Sequence, residues 1–420
     1  MKEVFLKKDR RKRLEAGHPW IYQNEIASVK GDPVTGDAVV IRNHQGHGLG
    51  AGFYHAESQI GVRIASYDST ETLNDAWLKR TLTKAWLHRK RFLAQTSSCR
   101  AAFGEADYLP GLIVDKYGDV AVIQVLSAAM ELRKDAIVRA VRDVLSVTCV
   151  YERSDAPVRA LEGLAESVGP LYGECEDVVE IKENGLSFIV DIAEGQKTGH
   201  FFDQRENRAA LASLVRFAAA EKPRTDLRYH EGGAALAHAA RSGATVLDCF
   251  SHTGGFSVHA LHYGAAHVTT VDASEKAIEA AARNIKKNEL EDRSTRLVAN
   301  AFDLLREYER DKKTFDVVIL DPPAFAKNRA AVPGALRGYK EINLRALKLI
   351  PDGGFLVTAS CSSPITREAW HAVIEEAAVD AHKLLRLIDD RSAGADHPRR
   401  IGMPESDYLK FSVFQVQSRS

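Results

Sequence analysis

The carboxyl-terminal half of the chain repeats one pattern, in which a short apolar run is followed by a loop and then by a helix-like segment. The apolar runs lie at residues 245–250, 267–272, 296–298, 315–320 and 354–358. Ile278, Ala281 and Ile285 recur at helical spacing between two of these runs. Strands that alternate with helices form a mostly parallel sheet with helices on its faces. The pattern therefore predicts an α/β domain that starts near residue 191.

The preceding residues follow a different pattern. Glycines separate short β-forming runs up to about residue 68, which is typical of a small β-barrel. Helical and strand-like segments then alternate, and Asn184-Gly185 is a strong hairpin signal. We therefore predict three domains, which are a β-barrel at residues 1–70, an α+β middle domain at 71–190 and the α/β domain at 191–420.

The charge balance gives no argument for a nucleic-acid partner, because 57 basic residues are matched by 57 acidic ones. Only a local basic patch could supply one. Cations and an aromatic residue lie close together near the start of the chain: Lys7, Arg10, Arg11, Arg13 and Trp20. Cations bind phosphates and aromatic rings stack on bases, so these residues are candidate RNA contacts. The alternative is a solubilising charged run beside ordinary core aromatics.

Hydropathy and cysteine content bear on location and on metal binding. No apolar stretch approaches the ~18 residues needed to cross a bilayer, and residues 1–8 lack the apolar core of a secretory signal. We therefore expect a cytoplasmic protein without a membrane partner. The five cysteines are scattered and show no Cys-x-x-Cys spacing, so we expect neither a disulfide framework nor a metal site.

Acidic residues lie at the ends of the predicted parallel strands, where α/β sheets bind their ligands. These residues are Asp248, Asp272, Asp303 and Asp321. The second acid follows the first at about the distance at which a carboxylate meets the ribose of a nucleoside cofactor. Gly254 and Gly255 follow the first strand and would let the backbone approach a ligand where a helix begins. The alternative is that the acids only cap the strand ends.

The loops lack the sequences that bind phosphate groups. Neither a Gly-x-Gly-x-x-Gly run nor a Walker loop follows the predicted strands. A row of carboxylates adds little to pyrophosphate binding but tolerates the sulfonium and ammonium groups of S-adenosylmethionine. The pattern therefore favours S-adenosylmethionine over NAD or ATP as the cofactor.

The segment Asp321-Pro322-Pro323-Ala324-Phe325 follows a buried apolar run. Two prolines fix the backbone there, and Phe325 could stack on a planar ring. The carboxylate and the carbonyls suit an amino group on a nucleobase. We therefore regard Pro322, Pro323 and Phe325 as candidate substrate contacts, with a simple turn as the alternative.

Cys361 follows the last apolar run, at a strand end where a thiol is unusual unless it acts as a nucleophile. A thiolate that adds to carbon 6 of a pyrimidine makes carbon 5 able to accept a methyl group. The alternative is that Cys361 is a small buried hydrophobic residue. Its position after the Asp-Pro-Pro segment favours the nucleophile.

Seven stretches together carry a resemblance to a known family. They lie at residues 17–26, 109–117, 195–208, 248–255, 321–327, 338–343 and 360–362. Through them the chain resembles the class I S-adenosylmethionine-dependent methyltransferases that modify cytosine C5 in large-subunit ribosomal RNA and carry an amino-terminal PUA domain. The resemblance implies a Rossmann-like methyltransferase domain with a mostly parallel sheet, preceded by a PUA-like β-barrel and a small α+β middle domain.

The resemblance also implies roles for individual residues. The cofactor pocket would include Gln196, Phe202, Asp203, Arg205, Asp248, Phe250, Thr253, Gly254, Asp272, Asp303 and Asp321. Cys361 would be the nucleophile, and Asp321 would contact the cytosine. Ala324 stands where related enzymes carry a second cysteine, and Ser363-Pro364-Ile365 stands where the family has a histidine. The group that accepts the carbon 5 proton is therefore left open, and a solvent molecule could serve.

The predicted function is methylation of carbon 5 of a cytosine in large-subunit ribosomal RNA, through a covalent adduct of Cys361. Two alternatives remain at this point. One is methylation of a base nitrogen by the Asp321-Pro322-Pro323 segment, with the cysteine idle. The other is an RNA-binding assembly factor without catalysis. An apolar sheet edge or barrel face could mediate a homodimer.

Overall fold

The computed structural model of this chain divides into two units, which are described separately. Unit 1 comprises Met1–Glu183, Val190–Asp203 and Gly394–Ser406, and unit 2 comprises Asn184–Ile189, Gln204–Ala393 and Asp407–Ser420. The structure describes residues 2–8, 12–93, 96–220 and 243–419. The predicted RNA contacts Arg10 and Arg11 lie outside these residues. The predicted boundaries at residues 70 and 190 concern a finer division and stay predictions.

The first sheet of unit 1 has six strands in the order β2-β6-β5-β4-β1-β3. The strands are β1 Glu3–Leu6, β2 Trp20–Tyr22, β3 Ile26–Lys30, β4 Ala38–Arg42, β5 Gly48–Tyr54 and β6 Ile60–Ser66, with helix α1 at Lys12–Glu15. Every second side chain along a strand faces the same side, so Val4, Ile41 and Ile64 meet in one apolar core. The small β domain is therefore present as predicted.

The second sheet of unit 1 has five strands in the order β11-β10-β9-β8-β7. Its elements are α2 Asp75–Phe92, β7 Ser98–Phe103, β8 Leu112–Tyr117, β9 Val120–Val125, α3 Ala128–Glu131, α4 Lys134–Leu145, β10 Cys149–Ser154 and β11 Ser167–Tyr172. Helix α2 begins where the Asn74 side chain accepts a hydrogen bond from the Trp77 amide at 3.0 Å. Trp77, Leu78 and Leu82 enter the same apolar core as the strands. This arrangement confirms the predicted α+β character.

A disulfide in unit 1 corrects the cysteine prediction. Cys149 and Cys175 are bonded, with Cα atoms 5.4 Å apart. Strands β10 and β11 pair antiparallel, with Val150 opposite Tyr172, and this pairing returns the chain to Cys149. Sequence spacing could not show the bond, because strand pairing and not proximity along the chain brings the two thiols together. Cys99, Cys249 and Cys361 are free thiols.

The predicted hairpin turn lies between β12 Val178–Glu183 and β13 Leu186–Asp191. Asn184 has a φ of 51° and Gly185 a φ of 84°. A two-residue hairpin turn of type I′ needs positive φ at both central residues, and Asn-Gly tolerates this best. The turn signal in the sequence is therefore confirmed.

Unit 2 is built on a seven-stranded sheet in the order β16-β15-β14-β17-β18-β20-β19. Its strands are β14 Thr245–Cys249, β15 His267–Asp272, β16 Ser294–Val298, β17 Val317–Leu320, β18 Phe355–Ser360, β19 Lys383–Arg391 and β20 Lys410–Ser418. The helices are α5 Arg205–Ala209, α6 Leu211–Ala220, α7 Gly255–His262, α8 Glu275–Lys287, α9 Ala301–Arg310, α10 Val332–Lys348 and α11 Arg367–Asp380. Strands β14 to β18 are parallel and β19 and β20 are antiparallel, so the mostly parallel sheet is confirmed.

Strand order places the ligand-binding edge of this sheet. The chain runs outward from β14 to β16 and then returns to β17 on the other side of β14. Loops that leave β14 and β17 therefore diverge, and a crevice opens at the carboxyl ends of these strands. Cys249 lies opposite Leu320, which in turn lies opposite Thr358, so three strands end at one level. None of the described helices combines the length and the apolar character that crossing a membrane requires.

Candidate active site

The thiol of Cys361 lies beside the Asp-Pro-Pro segment. Asp321 directly follows β17, and Cys361 directly follows the neighbouring strand β18. The Cys361 Sγ is 3.8 Å from the carbonyl oxygen of Pro322. The thiol is partly exposed, so a reactant can reach it. The parallel register thus brings together two segments that lie far apart in the sequence.

Hydroxyl groups fix the backbone on both sides of Cys361. The Ser360 hydroxyl donates to the Tyr339 hydroxyl oxygen at 2.9 Å, and the Ser362 hydroxyl lies 3.0 Å from the same oxygen. The amide of Ala326 donates to the Ser362 Oγ at 3.1 Å. These three hydroxyl groups are buried, where hydrogen bonds restrict movement strongly. They therefore hold the thiol in place next to the loop that follows β17.

Lys410 stabilises the same turn from the opposite strand. It lies across from Ser360 in the antiparallel pairing of β18 with β20. Its buried Nζ donates to the carbonyl oxygens of Ser362 at 2.9 Å, Ile365 at 3.0 Å and Tyr408 at 2.9 Å. Burial lowers the pKa of Lys410 to about 8, while the charge of the Cys361 thiolate raises it. Sequence analysis missed Lys410, because only strand pairing brings it to the thiol.

A second side chain that sequence analysis missed is Gln204, which orients Asp321. The Gln204 Nε2 donates to Asp321 Oδ1 at 2.9 Å. The Gln204 Oε1 in turn accepts a hydrogen bond from Asn207 Nδ2 at 2.7 Å. Because both ends of this buried amide are engaged, it presents its donor side to the carboxylate. Gln204 lies within the stretch that carries the family resemblance, but its spacing gave no separate signal.

Asp248 is a fully buried carboxyl group near the end of β14. Its Oδ2 accepts a hydrogen bond from the Ser257 hydroxyl at 2.6 Å. Burial raises the pKa of Asp248 to about 7, and the negative charges of Asp321 and Asp272 contribute to the rise. Its Oδ1 has no hydrogen-bond partner among the described residues. The group can therefore accept a donor from a ligand.

Asp272 ends β15 and holds the loop that follows β14. Its Oδ2 accepts from the His252 amide and its Oδ1 from the Ser274 amide, each at 2.9 Å. A carboxylate oxygen can accept more than one hydrogen bond, so the group can also bind a hydroxyl of a ligand. The position agrees with the predicted ribose contact, which stays a prediction.

The loop between β14 and α7 has an unusual backbone. Phe250, His252 and Gly254 have φ values of 63°, 50° and 78°. Positive φ is costly for a bulky side chain and is often found at functional sites. A Cβ on Gly254 would lie 2.9 Å from the Cβ of Ala281, and a Cβ on Gly255 would lie 3.0 Å from Arg208.

The close contacts of these two glycines add a packing reason for their presence, and their predicted approach to a ligand stays a prediction. Protein atoms occupy the space into which a Cβ on Gly254 or Gly255 would point. The left-handed backbone of Gly254 adds a second requirement, since only glycine adopts it without cost. The neighbouring Thr253 contributes its carbonyl oxygen to a hydrogen bond from Asn284 Nδ2 at 2.9 Å. The glycines therefore serve loop and helix packing.

The remaining predicted residues of unit 2 differ in exposure. Asp303 lies in the first turn of α9, is 75% exposed and pairs with Arg306 at 3.5 Å. An acid in the first turn of a helix interacts favourably with the helix dipole. This structural role is close to the alternative interpretation, in which the acids only cap the strand ends. Phe250 is partly buried against Phe302, with ring centroids 6.3 Å apart. Arg205 is buried at the start of α5.

The substrate-contact candidates after β17 are partly engaged with the protein. Pro322 is buried and Pro323 is exposed. The ring of Phe325 lies 4.7 Å from that of Tyr339 and 5.9 Å from that of Phe302. Phe325 is partly exposed and belongs to an aromatic cluster that includes Tyr339, whose hydroxyl oxygen accepts from Ser360 next to Cys361.

Three predicted cofactor contacts belong to unit 1. Gln196 is exposed in a bend, whereas Phe202 and Asp203 are buried. The Phe202 ring packs on Tyr117 with centroids 5.1 Å apart. Their role in a cofactor site stays a prediction from the family resemblance.

The predicted RNA contacts near the amino terminus are largely bound to the protein itself. Arg13 pairs with Glu25 at 2.9 Å and also donates to the carbonyl oxygen of Trp20. The Trp20 indole donates to Glu105 at 2.8 Å. Lys7 is exposed and donates to the Asn24 carbonyl oxygen. For Arg13 and Trp20 these contacts favour the alternative of an ordinary structural role.

The donor set at the carboxyl edge of the sheet fits a cationic ligand. Asp248 and Asp272 have no cationic side chain within salt-bridge distance among the described residues. A buried carboxylate without a positive partner is costly, and a ligand that carries an ammonium or a sulfonium group would remove that cost. The acids therefore suit S-adenosylmethionine better than a phosphate-bearing cofactor.

Two family models match parts of this chain. One for a PUA-like domain matches residues 4–67, and one described as "Conserved hypothetical protein 95" matches residues 234–350. Among solved structures, a candidate SAM-dependent methyltransferase from Streptococcus mutans has a TM-score of 0.78 and 21% identity over 99% of this chain and 100% of its own. A candidate methyltransferase in complex with SAH gives a TM-score of 0.79 at 22% identity with the same coverage. These likenesses establish the fold.

Relatives along the full length establish more. Ribosomal RNA large subunit methyltransferase I of Pseudoalteromonas translucida is 38% identical over 98% of this chain and 99% of its own length. The protein of the same name from Aeromonas salmonicida is 37% identical over 99% of both chains. The chain therefore belongs to the ribosomal RNA large subunit methyltransferase I family.

Proposed function

We propose that this protein methylates carbon 5 of a cytosine in large-subunit ribosomal RNA, with S-adenosylmethionine as the cofactor. The observation that carries the proposal is the position of the Cys361 thiol, 3.8 Å from the Pro322 carbonyl oxygen at the ligand-binding edge of the sheet. A methyltransferase that acts on a base nitrogen needs no thiol there. The sequence and the geometry thus support the same nucleophile.

Acids of unit 2 would hold the cofactor. Asp272 would accept a hydrogen bond from a ribose hydroxyl, and the Oδ1 of Asp248, which has no partner among the described residues, would accept one from the ammonium group. S-adenosylmethionine, when bound, supplies the methyl group. Phe250 and Thr253 lie in the strained loop between these acids and complete this side of the site.

Cys361 performs covalent catalysis on the substrate. Its thiolate adds to carbon 6 of the cytosine, and the electron pair of the ring double bond becomes available at carbon 5 for methylation. The proton on carbon 5 then leaves to solvent, the carbon–sulfur bond breaks and its electron pair returns to sulfur. The cytosine must leave its stack to reach the thiol. Asp321, oriented by Gln204, contacts the base during these steps.

Lys410 supports the nucleophile without touching the substrate. Its ammonium group donates to the carbonyl oxygens of Ser362 and Ile365, which follow Cys361, and to that of Tyr408. A positive charge close to a thiol favours the thiolate. We therefore infer a positioning role for Lys410, which fixes the turn and stabilises the thiolate.

Trapping of the covalent adduct tests this proposal directly. RNA that contains 5-fluorocytosine cannot lose a proton from carbon 5, so an enzyme that uses the thiol accumulates a stable protein–RNA complex. We expect this complex on a denaturing gel with the wild type and with Cys99→Ala, a control at a free thiol of unit 1. Cys361→Ala should form no complex and no methylated product, while its affinity for S-adenosylmethionine stays within a few-fold of the wild type.

Mass analysis of the modified nucleoside separates the proposal from its alternatives. The proposal predicts 5-methylcytidine after digestion of the RNA product. A nitrogen-methylated base, or unchanged turnover by Cys361→Ala, would overturn the thiol mechanism. Absence of both cofactor binding and methyl transfer would favour the assembly-factor alternative.

A further inference from the structure

The second half of helix α2 in unit 1 carries unneutralised positive charge. Lys84, Lys90 and Arg91 are exposed and form no ion pair with any described residue. Lys79 and Arg80, on the first half of the same helix, pair with acids at 2.8 Å each. Since the protein as a whole has no net charge, this stretch is a local basic surface.

Aromatic and apolar side chains lie among these cations. Phe92 is 59% exposed and Leu87 is 58% exposed, although burial of such side chains is favourable. The indole of Trp86 is half-buried, with the Lys90 Nζ 5.5 Å from its ring centroid. A hollow of about 350 Å³ is lined by Trp86, Arg89, Lys90, Leu93, Thr96 and Cys99.

The charges around the hollow are not equally available. Arg89 is buried and its guanidinium forms two hydrogen bonds of 2.6 Å with Asp107, so it serves the protein interior. Lys116 is also buried, and its pKa is lowered by burial and further by the charge of Lys90. An anion bound at this surface would offset the effect of the Lys90 charge on Lys116.

We propose that this surface binds a single-stranded segment of the RNA substrate. The surface, called the α2 patch, consists of Lys84, Trp86, Lys90, Arg91 and Phe92. Its cations contact phosphates, and a base stacks on the Trp86 ring at the hollow. Cations interleaved with exposed rings are what single-stranded RNA needs, whereas an acidic protein segment would need no stacking surface. This inference rests on the proposed function, since it adds a second contact site for the same RNA.

Charge reversal tests the phosphate contacts. The triple variant K84E/K90E/R91E is compared with K79E/R80E/R139E, which makes the same change in charge at cations that already have acidic partners. Binding of an oligocytidine and of a transcribed large-subunit ribosomal RNA fragment is measured by fluorescence anisotropy at several salt concentrations. We expect the patch variant to bind at least tenfold more weakly, with a salt slope reduced by about 2 for three lost contacts. The control should stay within threefold.

Substitution of Trp86 tests the stacking contact separately. Trp86→Leu should weaken binding of the oligocytidine by about tenfold, because base stacking on an aromatic ring is lost. Trp86→Phe keeps a ring and should stay within threefold of the wild type. Binding of RNA should also quench tryptophan fluorescence in the wild type and not in Trp86→Phe. Circular dichroism melts confirm that each variant is folded before binding is compared.

The outcomes distinguish failure of the proposed methyltransferase function from failure of the α2 patch alone. A wild type that neither binds nor methylates the ribosomal RNA fragment overturns the proposed function itself. A wild type that does both, with patch and control variants equal in affinity and KM, overturns the α2 patch alone. Unchanged RNA affinity with lost binding of a polyglutamate peptide would assign the surface to an acidic protein partner and also overturn the RNA contact.

Discussion

Asp248 connects the stability of the fold with ligand binding. Its pKa is about 7 in the fold, mainly because of burial, against an ordinary value of 3.8. Between these two values the folded chain keeps a proton that the unfolded chain has released. The free energy of unfolding therefore decreases as pH rises through this window. A cationic ligand favours the ionised carboxylate, so binding should release this proton.

This linkage predicts how cofactor affinity depends on pH. The dissociation constant for S-adenosylmethionine should increase by up to about tenfold per pH unit below pH 7, because one carboxyl must be deprotonated. Titration calorimetry across the pH range measures it. Asp248→Asn should bind weakly at every pH and show a flat profile, whereas Asp292→Asn, at an exposed acid of unit 2, should retain the wild-type slope. An unchanged slope in Asp248→Asn would contradict the assignment.

A second prediction at this scale concerns Lys410. Lys410→Met removes three hydrogen bonds to carbonyl oxygens and a positive charge, so we expect a loss of about 3 kcal/mol in the free energy of unfolding. The pH midpoint of Cys361 alkylation by iodoacetamide should move upward and kcat should fall more than KM changes. Lys383→Met provides the control, since Lys383 lies on the edge strand β19. A purely structural lysine would lower stability and leave the alkylation midpoint unchanged.

Single residues differ in how far the sequence could reveal them. Cys361 and the acids Asp248, Asp272 and Asp321 could be selected because each lies at or next to the end of an apolar run, and parallel strands bring such ends together. Lys410 reaches the site because it lies on the antiparallel strand β20. Gln204 reaches it because it is buried directly before helix α5. Nothing in their spacing along the chain indicates these contacts.

At the scale of secondary structure, the predicted strands were largely found because apolar runs of four to six residues mark buried strands. The glycines after β14 show the limit of this reasoning. Their presence was predicted to serve a ligand, and the structure shows a further requirement, since a Cβ at these positions would meet Ala281 and Arg208. A sequence pattern can show that a position needs glycine. It does not show which neighbouring atoms impose that need.

The packing role of Gly254 can be tested by substitution with alanine, and the same substitution at Gly264 serves as the control. Both glycines have positive φ, but a Cβ would contact Ala281 only at Gly254, since nothing lies within 4 Å at Gly264. Gly254→Ala should lower the free energy of unfolding by about 2–4 kcal/mol, and Gly264→Ala by only about 1 kcal/mol. Urea denaturation followed by circular dichroism measures both. Equal losses would show that backbone conformation alone decides the cost.

At the scale of the whole molecule, the net charge of zero gives no indication of the local basic surface on α2. Lys79 and Arg80 are neutralised by Asp143 and Glu71, which lie elsewhere in the chain, while the cations that follow on α2 are not. The sequence shows many cations between Lys79 and Arg91, but the candidate RNA contacts were taken from the basic segment near the amino terminus. Which cations remain unpaired depends on tertiary contacts, so charge runs alone could not locate the α2 patch.

The disulfide of unit 1 adds a prediction about the conditions of study. Cys149 and Cys175 close a loop across 26 positions, so the bond should contribute about 3 kcal/mol to the free energy of unfolding under oxidising conditions. Cys175→Ser should show this loss in urea melts without reductant. With dithiothreitol present, wild type and variant should unfold at nearly the same urea concentration. If dithiothreitol does not change the urea midpoint of the wild type, the disulfide bond is contradicted.

The position of β20 bears on when the turn around Cys361 can form during synthesis. This strand follows every other described strand in the chain, yet it lies between β18 and β19 and carries Lys410. A nascent chain that has reached only residue 400 has all of the acids and the thiol, but β18 is still an exposed edge. The turn around Cys361 is completed only after β20 joins the sheet, so we expect a ribosome-bound precursor to lack the thiol chemistry proposed for the finished protein.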